Sequence, residues 1–100
     1  MIRVLKVTGE SLSPDFLEGD FVVVSKIPFV LRRLRSGDIV VFRHPVHGTM
    51  IKQIEQISPD GEEIFVIGTH PESTDSRQFG PLWRGQLVGK VIWHIRKQRE

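Results

Sequence analysis

Three stretches of this chain hold side chains whose types and spacing suit covalent chemistry. The first is Val7-Thr8-Gly9-Glu10-Ser11-Leu12-Ser13-Pro14. A serine between a strand end and a Pro-containing turn exposes its hydroxyl, and nearby backbone N–H groups can face a developing oxyanion. Most serines beside a proline do turn or cap chemistry instead. The segment is also not a Gly-x-Ser-x-Gly elbow, because Ser13 stands where the second glycine belongs. The second stretch is Thr49-Met50-Ile51-Lys52-Gln53-Ile54, where strand alternation puts Lys52 on one face with Met50 and Ile54. An amine on an apolar face loses hydration, which disfavours the ammonium form and lowers a pKa that is ordinarily about 10.4. Such an amine can accept a serine proton near neutral pH. The plainer reading is an edge-strand lysine that snorkels to water. The third stretch runs from Gly68 to Pro81 and gathers Ser73, Thr74, Asp75, Ser76 and Arg77. An Asp75–Arg77 pair with serine hydroxyls would stiffen a loop and offer a hydrogen bond to a neighbouring base. A solvent loop of local Asx and Ser/Thr turns would read the same way.

Strands must carry these groups. Residues 4–8, 21–26, 39–42, 49–57, 64–67 and 87–95 are short runs rich in Val, Ile, Phe and Trp. Turn residues separate them: Ser13-Pro14-Asp15, Gly19-Asp20, Gly37-Asp38, Pro59-Asp60-Gly61 and Gly80-Pro81. No stretch shows a sustained helical period, although residues 31–34 and 14–17 could each form one turn. Strands recurring at this spacing predict a small barrel or folded sheet. Ser58-Pro59-Asp60-Gly61 predicts a hairpin. The similar openings Gly19-Asp20-Phe21 and Gly37-Asp38-Ile39 read as a reused turn-then-strand device, because 100 residues leave no length for two domains.

Together the three stretches resemble a known family, the type I signal peptidases. Gly9-x-Ser11-Leu12-x-Pro14 followed by Gly19-Asp20 is similar to their nucleophile box. Residues 37–42 and then Ile51-Lys52 are similar to the box of their lysine base. Gly68 with residues 73–81, and then Val88-Gly89-Lys90-Val91, is similar to their C-terminal boxes. The order agrees, and the likeness runs from about residue 7 to residue 95. It implies a mostly β chain forming a single small domain of coiled antiparallel sheets (a signal peptidase/LexA-like fold) across 1–100, with a basic tail at 96–100. It also implies Ser11 as nucleophile, its own N–H helping bind the oxyanion, and Lys52 as base. Ser73 would orient the amine, Asp75 and Arg77 would form a supporting ion pair, and Gly9 would support the nucleophile turn. Leu12 and Pro14 would meet a substrate bound extended beside the active-site strands. Leu12 stands where the family usually has Met, Gln53 where Arg often follows the lysine, and Thr69-His70 where Asp-Asn usually follows the glycine. Only ten residues precede Ser11, so no membrane anchor is expected. The short length, Phe42-Arg43-His44-Pro45 and residues 70–82 resemble the anchorless nickel-type superoxide dismutase maturation proteases, which implies a leader-bearing precursor as substrate.

Composition narrows the rivals. With 39% hydrophobic and 26% charged residues the chain reads as an ordinary globular domain. The absence of cysteine excludes disulfides, thiolate metal sites and a Cys nucleophile. Lys and Arg total 14 against 12 Asp and Glu, a net +2, which argues against a nucleic-acid-binding barrel. No apolar run is long enough to span a bilayer, so a cytoplasmic protein is expected. Residues 27–31 followed by Arg32-Arg33 would sooner be a buried loop than a peripheral membrane contact. Phe29, Trp83 and Trp93 are expected in the core or a groove wall. His44-x-x-His47 brackets Pro45 with no acid close by, so neither a metal nor any other cofactor is expected. A Ser-His-Asp triad drawing on His70 or His94 stays open, since triads assemble in space. The expected partner is a precursor protein or peptide. Outside the enzymes, the alternative is a catalytically silent β-domain that binds extended peptides.

Overall fold

The computed structural model describes residues 2–7, 19–46, 48–68 and 74–96. Among them seven strands form: β1 (Ile2–Lys6), β2 (Phe21–Ser25), β3 (Ile39–His44), β4 (Gly48–Ile57), β5 (Glu63–Ile67), β6 (Leu82–Trp83) and β7 (Leu87–Ile95). They make one antiparallel sheet in the order β1-β2-β7-β3-β4-β5-β6. Two four-residue helices, α1 (Pro28–Leu31) and α2 (Ser76–Phe79), and a 3-10 turn at Arg84–Gln86 complete the described elements. The mostly-β, single-domain expectation holds.

The central strand explains the layering. β3 begins Ile39-Val40-Val41-Phe42, an unbroken apolar run of the kind a strand needs when both faces are covered. Val40 and Phe42 feed one core, with Ile54, Ile64, Val66, Leu82 and Leu87, and Leu31, Leu34 and Phe79 packed against it. Val41 feeds a second core with Val7, Val22, Val24 and Val88. Each such side chain contributes roughly 1.5–3 kcal/mol on burial. Register shifts at Val23/Val24, Val41/Phe42 and Ile54/Gln56 interrupt the ladders, and such bulges sharpen strand twist and let a sheet coil. At Gly89 the backbones of β7 and β2 approach closely, since a Cβ there would lie 2.5 Å from the Ser25 carbonyl oxygen.

The predicted hairpin forms as its chemistry dictates. Gly61, at φ 77°, donates its N–H to the Ser58 carbonyl at 2.8 Å, and Ser58 Oγ donates to Asp60 Oδ1 at 2.6 Å. Other expectations need correction. The turn read at 31–34 forms at Pro28–Leu31, because proline's fixed φ suits the first helical turn. That segment is therefore a short helix with Ile27 and Pro28 exposed, not a buried loop. Trp83 and Trp93 lie 60% and 66% exposed, not in the core. Trp93 joins Val4, Phe21 and Ile95 on an exposed apolar face, in the register rows Val4–Val23–Trp93 and Phe21–Ile95. The second expected turn, 14–17, lies outside the described residues. No helix among the described residues is long and apolar enough to cross a membrane.

Candidate active site

β4 lies between β3 and β5, so Lys52 sits on an interior strand, directly opposite Val40. Its neighbour on the same face is Ile54, part of the larger core. The side chain is 1% exposed, and among the described residues nothing accepts a hydrogen bond from its Nζ. A snorkelling edge lysine would do neither. Burial holds the Lys52 pKa below the usual lysine value; the Asp75 carboxylate pulls it back up and the Arg77 guanidinium pushes it down. An amine in this setting is poised as a base and costs stability whenever it is protonated.

The Asp75–Arg77 pair is present and well built. Arg77 Nη2 lies 2.7 Å from Asp75 Oδ2, and Nε donates to Oδ1 at 3.0 Å, a bidentate fork. Asp75 also caps α2, accepting the Arg77 N–H at 2.9 Å, while Gln78 Oε1 accepts the Asp75 N–H at 2.8 Å. Asp75 Oδ2, already paired with Arg77 Nη2, also accepts the Gly68 N–H at 3.0 Å. Burial pushes this carboxyl up, but the Arg77 and backbone N–H groups outweigh it and hold it down at about 2. Ser76 Oγ accepts the Val66 N–H at 2.9 Å, tying α2 to β5. The β4–β5 ladder pairs Gln53 with Ile67, so one step further brings Gly68 level with Lys52. The ion pair thus braces the end of β5 beside the buried amine.

The strand ends that flank residues 8–18 in the chain are also fixed. The Val7 N–H donates to the Asp20 carbonyl at 2.7 Å, and the Gly19 N–H donates to the Val7 carbonyl at 2.9 Å. Val7 is buried in the second core, against which Ile51, the residue before Lys52, is packed. Ser11, Gly9, Leu12, Pro14 and Ser73 lie outside the described residues, as do His70 and His47. Sequence reasoning missed one contact: Asp20, 1% exposed, lies with Oδ2 2.8 Å from His94 Nε2. Gly19-Asp20 reads as a turn, and no local pattern ties it to a strand 74 residues away. His44 Nδ1 accepts the Val46 N–H at 3.1 Å, and its ring lies against Phe79 at 4.6 Å. Among the described residues no three His, Cys, Asp or Glu side chains converge as a metal site.

Comparison with known proteins shows the family. The sequence model of the signal peptidase family, peptidase S26, matches residues 1–62. Signal peptidase I V of Bacillus subtilis (strain 168) is 32% identical over 68 residues, which cover 63% of this chain and 40% of that protein. The likeness therefore spans less than half the length of this relative. With most of its length matched by the family, the chain belongs to the signal peptidases of peptidase family S26.

Proposed function

We propose that the chain is a cofactor-free serine endopeptidase, one catalytic domain across residues 1–100, that removes an N-terminal leader or signal-type segment from a precursor protein. The observation that carries this reading is the buried Lys52 amine, which has no hydrogen-bond acceptor among the described residues. Ser11 Oγ attacks the scissile carbonyl while its proton passes to Lys52 Nζ, and the Ser11 N–H helps hold the oxyanion. The resulting ammonium then gives its proton to the departing amine. Water attacks the acyl carbonyl as Lys52 takes its proton, and the ammonium returns that proton to Ser11 Oγ as the acyl–oxygen bond breaks and the carboxylic acid departs. Ser73 orients the amine, and the Asp75–Arg77 brace keeps the end of β5 in place. Gly9 frees the nucleophile turn, while Leu12 and Pro14 border the extended substrate.

Val7 supports this pairing: Ser11 follows it by four residues in the chain, and Ile51, the residue before Lys52, packs against the core that holds it. A leader-bearing nickel superoxide dismutase precursor is the substrate we favour. Peripheral membrane contact would rest on the exposed Val4, Phe21, Trp93 and Ile95 rather than on residues 27–31. The Asp20–His94 contact favours one second reading, a Ser11–His94–Asp20 triad.

The test is a cleavage assay on that precursor and on a signal-peptide substrate, with wild type, Ser11→Ala, Lys52→Ala and His94→Ala in parallel. Loss of activity in the first two variants, with retention in the third, supports the dyad. Loss in Ser11→Ala and His94→Ala but not Lys52→Ala supports the triad. Cleavage unchanged by Ser11→Ala overturns both, and an absence of cleavage by the wild type would leave a silent peptide-binding domain.

A further inference from the structure

A cleft of about 410 Å³ opens where β1, β2, β3 and the start of β7 meet, with Arg3 and Val24 away from the Lys6–Phe21 end of the β1–β2 ladder. Its rim carries Arg3 on β1, Lys26 just after β2 and Arg43 on β3, and no acidic side chain among the described residues lines it. Val24 and Val88, buried members of the second core, belong to its lining. Strand alternation explains how the cations meet. Arg3 pairs in register with Val24, and Arg43 follows Val41 by two residues, so both point from the face that holds the second core. The wall is built, since Gln86 Nε2 donates to the Arg43 carbonyl at 3.0 Å and Gln86 Oε1 accepts the Trp83 N–H at 2.8 Å.

These cations differ from Arg77 and Lys90. Arg77 is matched with Asp75, and Lys90 Nζ lies 3.5 Å from Asp38 Oδ1. Among the described residues, Arg3, Lys26 and Arg43 have no side-chain partner. Three like charges around one cleft repel each other, and an anion seated there turns that repulsion into attraction. Two guanidinium forks suit tetrahedral oxyanions, which they grip in bidentate fashion, and the lysine adds a point charge. A phosphomonoester carries nearly two charges and three acceptor oxygens at neutral pH, so it matches three cations better than a single carboxylate does.

We propose that the Arg3–Lys26–Arg43 cleft binds a phosphate group. The assignment does not depend on the peptidase reading. The volume exceeds what inorganic phosphate alone needs, so the group is carried on a larger molecule, either a free phosphate compound or a lipid headgroup.

Inorganic pyrophosphate is the probe, titrated at low salt into the full chain while backbone amide resonances are followed. Saturable shifts centred on Val24 and residues 85–88 are expected, and Arg3→Gln or Arg43→Gln should weaken binding about tenfold each. All three side chains are exposed, so the variants should keep the wild-type thermal midpoint. Succinate at the same concentration should bind more weakly than pyrophosphate. Vesicles of phosphatidylcholine with and without phosphatidic acid separate the sources. Phosphatidic-acid-dependent sedimentation that Arg43→Gln abolishes names a lipid headgroup, and its absence alongside pyrophosphate binding names a free phosphate compound. The proposal is overturned by non-saturable shifts, by shifts centred on Arg32, Arg33 and Arg35, by equal binding of succinate, or by wild-type affinity in Arg3→Gln and Arg43→Gln.

Discussion

Two lysines stand opposite Val40, Lys52 on β4 and Lys90 on β7, and the protein treats them in opposite ways. Lys90 is 30% exposed at its side chain and lies 3.5 Å from an Asp38 carboxylate oxygen. Lys52 is closed off from water, with no acceptor for its Nζ among the described residues. The sheet explains the difference. β7 meets β3 at a register shift beside Gly89, where Lys90 keeps access to solvent and to Asp38. β4 is covered by β3, β5 and the larger core, so an amine there has only apolar neighbours on its strand face. A cation that folding alone required would be placed like Lys90. One placed like Lys52 destabilises the fold whenever it is charged, which is the placement the proposed general base requires.

The largest separation between the two should appear in catalysis. Lys52→Ala is expected to lower kcat for leader cleavage by about 10³-fold or more, while Lys90→Met stays within about twofold of wild type. Single-turnover kinetics on one substrate would measure both.

Next comes the brace. Asp75 is as buried as Lys52, yet four donors satisfy it. Asp75→Ala should destabilise the fold by about 3 kcal/mol in urea unfolding. The pH dependence has a definite sign. The folded pKa of about 2 lies below the unfolded carboxylate value, so this contribution is complete above about pH 4. It is lost as pH falls through about 4 to about 2, an acid loss of about 2.5 kcal/mol that Asp75→Ala should largely lack.

Lys52→Met sharpens the contrast from the other side. It keeps the volume and removes the amine, so stability at pH 7 should rise by about 2 kcal/mol even as activity is lost. The folded lysine pKa is lowered, so between that value and about 10.4 the unfolded chain binds more protons. Wild-type stability therefore rises with pH across that window, and the rise should be absent in Lys52→Met. The smallest effect belongs to the partly exposed pair: Asp38→Asn should change the unfolding free energy through its Lys90 contact by about 0.5 kcal/mol or less.

Much of this arrangement is legible in the sequence because it rests on local rules. Val-rich runs bounded by Gly-Asp and Pro-Asp-Gly turns locate β2 to β5 and β7, and Met50, Lys52 and Ile54 at period two put the amine on an apolar face. What stays hidden depends on distant partners or on side chains acting as backbone. α2 is only four residues long, too short for a periodic signal, and it exists because Asp75 and Gln78 cap it. β6 is two residues, defined by its pairing with β5. Trp83 and Trp93 look like core residues by type, but their strand faces lack a covering layer. The Asp20–His94 contact and the three cations of the cleft join segments far apart in the chain, which no spacing rule connects.

The central claim is that the Lys52 amine loses its proton well below the usual lysine pH. The direct measurement is a pH titration of the Lys52 13Cε and 15Nζ resonances in the folded protein, assigned by their loss in Lys52→Met. A midpoint displaced well below about 10.4, with the other lysines titrating near that value, is the predicted result. A Lys52 midpoint at the ordinary lysine value would contradict the account.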